Sequence, residues 1–389
     1  MRTTGPAQGT PHDFTPGTGV IAEMSGRPLR FASSRYRPDD TYAEVADDRI
    51  RRAREALGLT GESHESTLEL ITEISAPWGD LPVGTPPRRG CWVSVDGMPF
   101  EPSVAWTDGE PAVRLSFESP GDGTIASRMR DGLRTTRLLA GHPGVSIDRF
   151  LEIAPLFTPD DPQGYFVIAH AVAWRPGGPP AYKVFLNPAV GGREHSAARA
   201  AEAFKRLGLE RPWSALADHL GGEFTPAHEP VCVALDLVGD EALRAQLYVA
   251  HSGVSAAEID AKAAVARDHV PGLFTRALEG INGPHTAPAW GRKPAVTTFT
   301  LDPRHDLPSA ATYVPMIPVH DHDEAARDRV AAFLRAEQPD VAGPYAALLD
   351  ALADEPLSRS VTQNFVSYRG GDSRRFSVYL APGLYRPAG

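Results

Sequence analysis

Three strand-like segments each carry one cation among alternating apolar residues, a pattern that suits a ligand rich in phosphate oxygens. Arg114 lies in "AVRLSFE". In "AYKVFLNP", Lys183, Phe185 and Asn187 alternate with Tyr182, Val184 and Leu186. In "LRAQLYVA", Arg244, Gln246 and Tyr248 alternate with Leu243, Ala245, Leu247 and Val249. Two further strand-like runs add rings, Tyr313 in "ATYVP" and Tyr368 in "QNFVSYR". Cations and tyrosine hydroxyls hold an oligophosphate by charge-assisted hydrogen bonds. Ring faces beside it attract a positively charged group by about 0.5–2 kcal/mol. Taken singly, a strand Lys or Arg is ordinarily solvated and a strand Tyr ordinarily packs. Their recurrence on successive strand pairs argues for one shared ligand.

What could bring them together is visible first in "FEPSVAWTDGEPAVRLSFE", residues 100–118. Asp108-Gly109 occupies the place of a two-residue hairpin turn. That turn pairs Thr107 with Glu110, Ser103 with Arg114 and Glu101 with Ser116. Glu101, Ser103, Arg114 and Ser116 then share one face, and Val104, Trp106, Val113, Leu115 and Phe117 share the other. A sheet with one solvated face would show the same alternation, so the rest of the chain has to decide.

Hairpin-like pairs recur at 101–106/112–118, 166–174/181–187, 231–238/243–250, 296–301/311–317 and 361–368/375–380, their starts 65 residues apart each time. "TDGE", "RPGGPP", "VGDE" and "YRGGDS" supply turn chemistry, and the fourth connection, "DPRHDLPS", is longer. Two helix-like segments precede each pair, as "SAARAAEAFKRLG" and "PWSALADHL" do the third. Ser255 with Glu258 reads as a capping box before "AAEIDAKAAVARDH". Five ααββ units predict an α+β fold: ten antiparallel strands flanked by helices on one face. Closing the sheet into a barrel removes both edges. Ten strands enclose a lumen too wide for side chains to fill, and the polar face of 100–118 would line it.

The bulk properties bound the function. The chain has 389 residues, 42% of them hydrophobic and 23% charged, with a net charge of −10; these values fit a soluble globular protein. The acidic balance, without a basic stripe, argues against non-specific nucleic-acid binding. No apolar run approaches the roughly 20 residues of a membrane helix. The N-terminal "MRTTGPAQGTPHDFTPGTG" lacks the apolar core of a signal peptide, so a cytoplasmic protein is expected. Residues 1–38 are expected to form a mobile tail before a single domain, 39–389. Cys91 and Cys232 sit in apolar sequence and are expected as buried thiols.

Read in order, "GMPFEPSVAW" with "AVRLSFE", "YKVFLNP", "RAQLY", "TYVP" and "FVSYRGGDSRRFSVYL" resemble the aromatic prenyltransferases of the dimethylallyltryptophan-synthase type, bacterial branch. The likeness spans about residues 40–385, and it rests on the order of five weak motifs. It implies an α-β-β-α barrel and metal-independent Friedel–Crafts alkylation, with no cofactor. The implied partners are dimethylallyl diphosphate and L-tryptophan, with C6 of the indole favoured, in a monomer or homodimer. Arg114, Lys183, Arg244 and Gln246 match positions that hold the diphosphate. Tyr248, Tyr313 and Tyr368 match the rings around the allylic cation, and Glu101 matches the acid that accepts the indole N–H. Phe185 and Gln246 depart from the pattern, where many relatives carry tyrosine and lysine. The lysine often proposed to remove the ring proton has no counterpart in "IAHAVAWRPGG"; His170 and Arg175 lie nearby, and strand register decides whether either faces inward.

Other readings stay open at this point. Another indole position, a tryptophan-containing dipeptide or tyrosine are alternative acceptors. A non-catalytic barrel for a hydrophobic ligand would need neither Glu101 nor the cation set. "PVHDHDEAARD" offers His320 and His322 to a metal-dependent hydrolase or lyase, but it lies where a strand gives way to a helix, with Asp323 as a natural cap.

Overall fold

The structure, a computed structural model, describes residues 28–59, 64–221, 224–239, 242–283, 293–317 and 319–387. Its first hairpin follows the turn chemistry. Strands β2 (Phe100–Thr107) and β3 (Glu110–Phe117) join through Asp108 and Gly109, both at positive φ (50° and 88°). That geometry matches the right-handed twist of the flanking strands. The pairs Thr107–Glu110, Ser103–Arg114 and Glu101–Ser116 form as the sequence predicts.

Four more hairpins follow: β4 (Ile168–Trp174) with β5 (Ala181–Leu186), β6 (His228–Asp236) with β7 (Ala245–His251), β8 (Ala295–Leu301) with β9 (Ser309–Pro315), and β10 (Gln363–Arg369) with β11 (Arg375–Leu380). All ten strands pair antiparallel, and β11 pairs with β2 to close the barrel. The turn "VGDE" is only partly described, since Asp240 and Glu241 lie outside the described residues.

Ten helices are described, two before each hairpin: α1 (Tyr42–Ala56), α2 (His64–Ser75), α3 (Ile125–Leu139), α4 (Asp148–Phe157), α5 (Ser196–Arg206), α6 (Glu210–His219), α7 (Ala256–Ala263), α8 (Leu273–Asn282), α9 (Asp323–Glu337) and α10 (Pro339–Leu352). The hydrophobic core lies between them and the barrel wall. Val104, Trp106, Val113, Leu115 and Phe117 all belong to it. In α3, Gly132 permits close approach, because a Cβ there would stand 2.6 Å from Cβ of Ile168 on β4. The Ser255–Glu258 capping box forms. The helix it starts ends at Ala263, short of its sequence pattern; beyond it, Arg267 N–H bonds Pro308 O of the β8–β9 connection. At α9 the cap is His322, whose Nδ1 accepts from Ala325 N. Asp323 is instead buried, bonding Ser360 Oγ and the backbone N–H of Thr362 and Gln363.

The tail boundary at residue 38 also needs correction. Residues 1–27 lie outside the described residues, but 28–38 are tied into the fold. Strand β1 (Leu29–Phe31) pairs with β12 (Tyr385–Pro387), and Tyr36 donates to Asp48 at 2.7 Å. The two ends of the repeat are also joined: Arg49 of α1 donates to Leu352 O at 2.6 Å and to Pro382 O at 2.7 Å.

Candidate active site

The exposure of alternate residues shows that the barrel is hollow. Tyr182, Val184 and Leu186 are buried against the helices, whereas Lys183 and Phe185, which face the barrel axis, retain accessible surface. The same alternation leaves Arg114 and Ser116 on β3, Gln246 and Tyr248 on β7, Tyr313 on β9, and Arg375 and Tyr379 on β11 accessible at the lumen. A polar face inside a closed sheet with residual exposure is a cavity lining, not an outer surface.

Strand register places the cations toward the end of the lumen that carries the hairpin turns. Lys183 is the register partner of Asp236, and its Nζ donates to Gln246 Oε1 at 2.6 Å. Tyr248 Oη donates to the same oxygen at 3.2 Å, and Gln246 Nε2 reaches Thr300 Oγ1 at 3.3 Å. Arg244 stands at the rim, paired with Asp236. Arg114 places its guanidinium carbon 5.0 Å from the centroid of Tyr379, and its Nε and Nη2 are buried with no hydrogen-bond partner. Burial, then the neighbouring Arg114, lowers Arg375 to about 10.

Rings line the wall beside these cations. Tyr248 and Tyr313 have centroids 5.8 Å apart, Tyr313 and Tyr379 5.5 Å, and the hydroxyls of Tyr313 and Tyr379 lie 3.0 Å apart. Burial pushes the Tyr379 phenol up, but Arg114, the bond to Tyr313 and Arg375 together bring it below its ordinary value. A ring set of this kind stabilises a cation, and the guanidinium groups stabilise an anion beside it.

Glu101 is buried on β2 and faces the lumen. Asn364 Nδ2 donates to its Oε1 at 2.6 Å, while buried Lys293 donates to Asn364 O at 2.9 Å and to Asn364 Oδ1. Desolvation raises Glu101 to about 8 against the opposing effects of Asn364 and Lys293. Desolvation also lowers Lys293 to about 7, although Glu101 opposes it. At the end opposite the turns, Cys91 and Val93 pack with the lumen-facing Ala169, Phe185, Cys232 and Tyr248. Trp92 stacks on Phe166 at 4.0 Å. Glu118 holds this segment by accepting from Trp92 N at 2.7 Å, and Arg128 pairs with Glu118. Both cysteines are buried free thiols.

The lumen therefore collects Glu101, Arg114, Lys183, Gln246, Tyr248 and Tyr313, with Arg244 at its rim. Tyr368 is the exception and the sequence assignment is corrected: it shares a face with Val366, is buried among the helices, and meets Phe333 of α9 edge-on at 5.0 Å. The inward ring is Tyr379, which alternation in "RFSVYL" reveals together with Arg375. Tyr368→Phe should thus leave turnover unchanged and stability within about 0.5 kcal/mol, checked by steady-state rates and a melting curve; a collapse in rate with an intact melt would return Tyr368 to the site. His170 also points outward, stacked on Phe117 and 2.8 Å from Thr136 Oγ1, with burial lowering it to about 3. Arg175 is exposed at the turn. Lys293, Asn364 and Asp236 carry no local signature: closure of the barrel brings Asn364 and Lys293 to Glu101, and β5–β6 pairing brings Asp236 to Lys183. His320 bonds Asn282 at 3.0 Å, and no group of three or more potential metal ligands occurs among the described residues.

Residues 58–263 match the model of the tryptophan dimethylallyltransferase family. The fold is similar to that of 6-dimethylallyltryptophan synthase from Micromonospora olivasterospora, solved in complex with DMASPP and Trp: TM-score 0.82, 28% identity, covering 90% of this chain and 99% of that one. The 5-dimethylallyltryptophan synthase of Streptomyces coelicolor matches with TM-score 0.79 and 27% identity, covering 89% and 99%. AnaPT from Neosartorya fischeri, 16% identical with TM-score 0.68 over 96% and 100%, shares the fold.

Proposed function

The chain belongs to the tryptophan dimethylallyltransferase family and is a transferase; on that premise we propose that it moves the dimethylallyl group of dimethylallyl diphosphate to C6 of L-tryptophan without a metal. The observation that carries this reading is the hollow lumen with two chemically distinct regions. One holds Arg114, Lys183, Arg244 and Arg375 beside Tyr248, Tyr313 and Tyr379; the other holds Glu101 with Asn364 and Lys293. The DMASPP and Trp in the Micromonospora structure support the same pair of ligands for this chain.

In the proposed reaction the C–O bond of the donor breaks, and its electron pair leaves with diphosphate. Fixed cations stabilise that charge without reorganising. The allylic cation is held among the tyrosine rings and kept from water by the closed wall. The indole ring carbon supplies the electron pair of the new C–C bond, and loss of its proton restores aromaticity. Glu101 accepts the indole N–H, a bond that strengthens as positive charge develops on the ring. Glu101 and the departing diphosphate are the groups placed to take that proton, since His170 and Arg175 lie outside the lumen.

C6 is the position in the name of the Micromonospora relative and C5 that of the Streptomyces one, so the acceptor carbon is read directly. Incubation with dimethylallyl diphosphate, L-tryptophan and excess EDTA should give a monoprenylated amino acid whose NMR spectrum places the substituent on C6. Substitution at C5 would correct the position, loss of rate in EDTA would end metal independence, and no product from any indole would reject the reading.

A further inference from the structure

Two of the three cations read from the sequence already share an anion. Asp236, at the end of β6, receives Lys183 Nζ on Oδ1 at 3.2 Å. Its Oδ2 receives Arg244 Nε at 3.0 Å and Nη2 at 2.6 Å. The carboxylate is enclosed, its side chain 12% exposed, whereas those of Lys183 and Arg244 are 23% and 49% exposed. Arg114, by contrast, has unpartnered buried donors. A carboxylate bridging a lysine and an arginine presents them with the same acceptor chemistry as a phosphate oxygen.

We propose that Asp236 is a positioning residue of the donor site: an internal counter-anion that holds Lys183 and Arg244 toward one point, then competes with the diphosphate for them. The inference rests on the diphosphate reading above. With Arg114, Lys183, Arg244 and Arg375 cationic, Asp236 reduces the charge of this set from +4 to +3, which balances the roughly −3 charge of a free diphosphate near neutrality. A fully cationic cleft would hold the leaving group more tightly than turnover requires, because product bound as strongly as the transition state slows release. Asp236 also opposes the desolvation that lowers Lys183. The bound diphosphate takes over that role once it arrives.

The sign of the effect separates this role from a purely structural one. Asp236→Asn keeps the shape and one carbonyl acceptor but removes the charge. Binding of inorganic pyrophosphate, measured by calorimetry, should tighten at least tenfold, and kcat and the KM for donor should fall together. Wild-type protein that binds pyrophosphate while a folded Asp236→Asn variant binds it equally or more weakly overturns the inference alone. Wild-type protein that does not bind pyrophosphate overturns the diphosphate reading and the inference with it. Should Asn at 236 prevent folding, Asp236→Ser provides the same comparison, and failure of both to fold makes Asp236 structural and rejects the proposal.

Discussion

Glu101→Gln is expected to lower kcat by about a hundred- to a thousand-fold, the usual loss on removing one preorganised electrostatic partner of a transition state. The amide keeps the size of the side chain and an acceptor oxygen, so the acceptor should still bind and its KM should change little. On the proposed mechanism, what disappears is the negative charge facing the N–H of a ring that becomes cationic. The pH dependence gives a second reading. Burial raises Glu101 from 4.5 to about 8, against the hydrogen bond from Asn364 and the charges of Lys293 and Arg114, with Asp96 acting in the same direction as burial. The wild-type kcat/KM should rise with pH through an ionisation near about 8, and the variant should lose that limb. Stability moves the other way. Below the ordinary value the carboxyl is protonated in folded and unfolded chains alike. As pH rises toward 8 the unfolded chain ionises while the folded one holds its proton, so native stability declines across that window. The variant escapes this decline: its Tm should match wild type near pH 4 and exceed it above pH 8. An unchanged turnover rate would remove Glu101 from the mechanism.

Much of this architecture is legible because its local rules agree. Asp108-Gly109 can adopt positive φ, which fixes the register of the first hairpin, and period-two alternation then assigns Glu101 and Arg114 to one face. The five hairpins repeat that logic, and closing the sheet removes both of its edges. Tyr368 shows where reading by likeness yields to parity. It belongs to a matching motif, yet Phe365, Ser367 and Arg369 form the inner face of its strand, whereas Gln363 bonds Tyr345 and Asp323 of the helices and Asn364 turns in to Glu101. A register irregularity between Gln363 and Phe365 further complicates pairing there. The alternation of Arg375, Ser377 and Tyr379 with Phe376, Val378 and Leu380 was available in the same hairpin and identifies the inward ring.

Contacts between distant strands have no such local signature. Lys293 lies before β8 and Asn364 within β10, and neither spacing nor composition relates them to Glu101. Only barrel closure through β10 and β11 makes Asn364 donate to that carboxylate, more than two hundred residues earlier in the chain. Asp236 is a parallel case. Read along the chain it ends an apolar strand, while across the sheet it meets Lys183 as its register partner. Side chains that tune charge act through space, so their partners are set by topology rather than by motif.

Arg114 carries the other large prediction, because stability and activity should part there. Its Nε and Nη2 are buried without partners, an arrangement that costs free energy in the unliganded protein: about 1–3 kcal/mol for an unmet neutral donor and more for a charged group. Arg128 is the contrasting buried guanidinium: its Nε is also unmet, but its Nη1 faces the Glu118 carboxylate and donates to Gly90 O at 3.1 Å. Arg128→Gln should therefore destabilise the fold, leaving Glu118 buried without its cation at a cost of roughly 3–5 kcal/mol. Arg114→Gln should do the reverse, preserving or raising Tm while kcat/KM for the donor falls about a hundred- to a thousand-fold. On the proposed mechanism the loss has a direct cause: the guanidinium, over the Tyr379 ring, is charge held ready for the leaving diphosphate. Because Arg114 also lowers the Tyr379 phenol, the variant should raise that ionisation, visible as an upward shift in the ultraviolet titration of tyrosinate. A folded Arg114→Gln enzyme with undiminished donor efficiency would show that the unmet donors face empty space rather than a diphosphate.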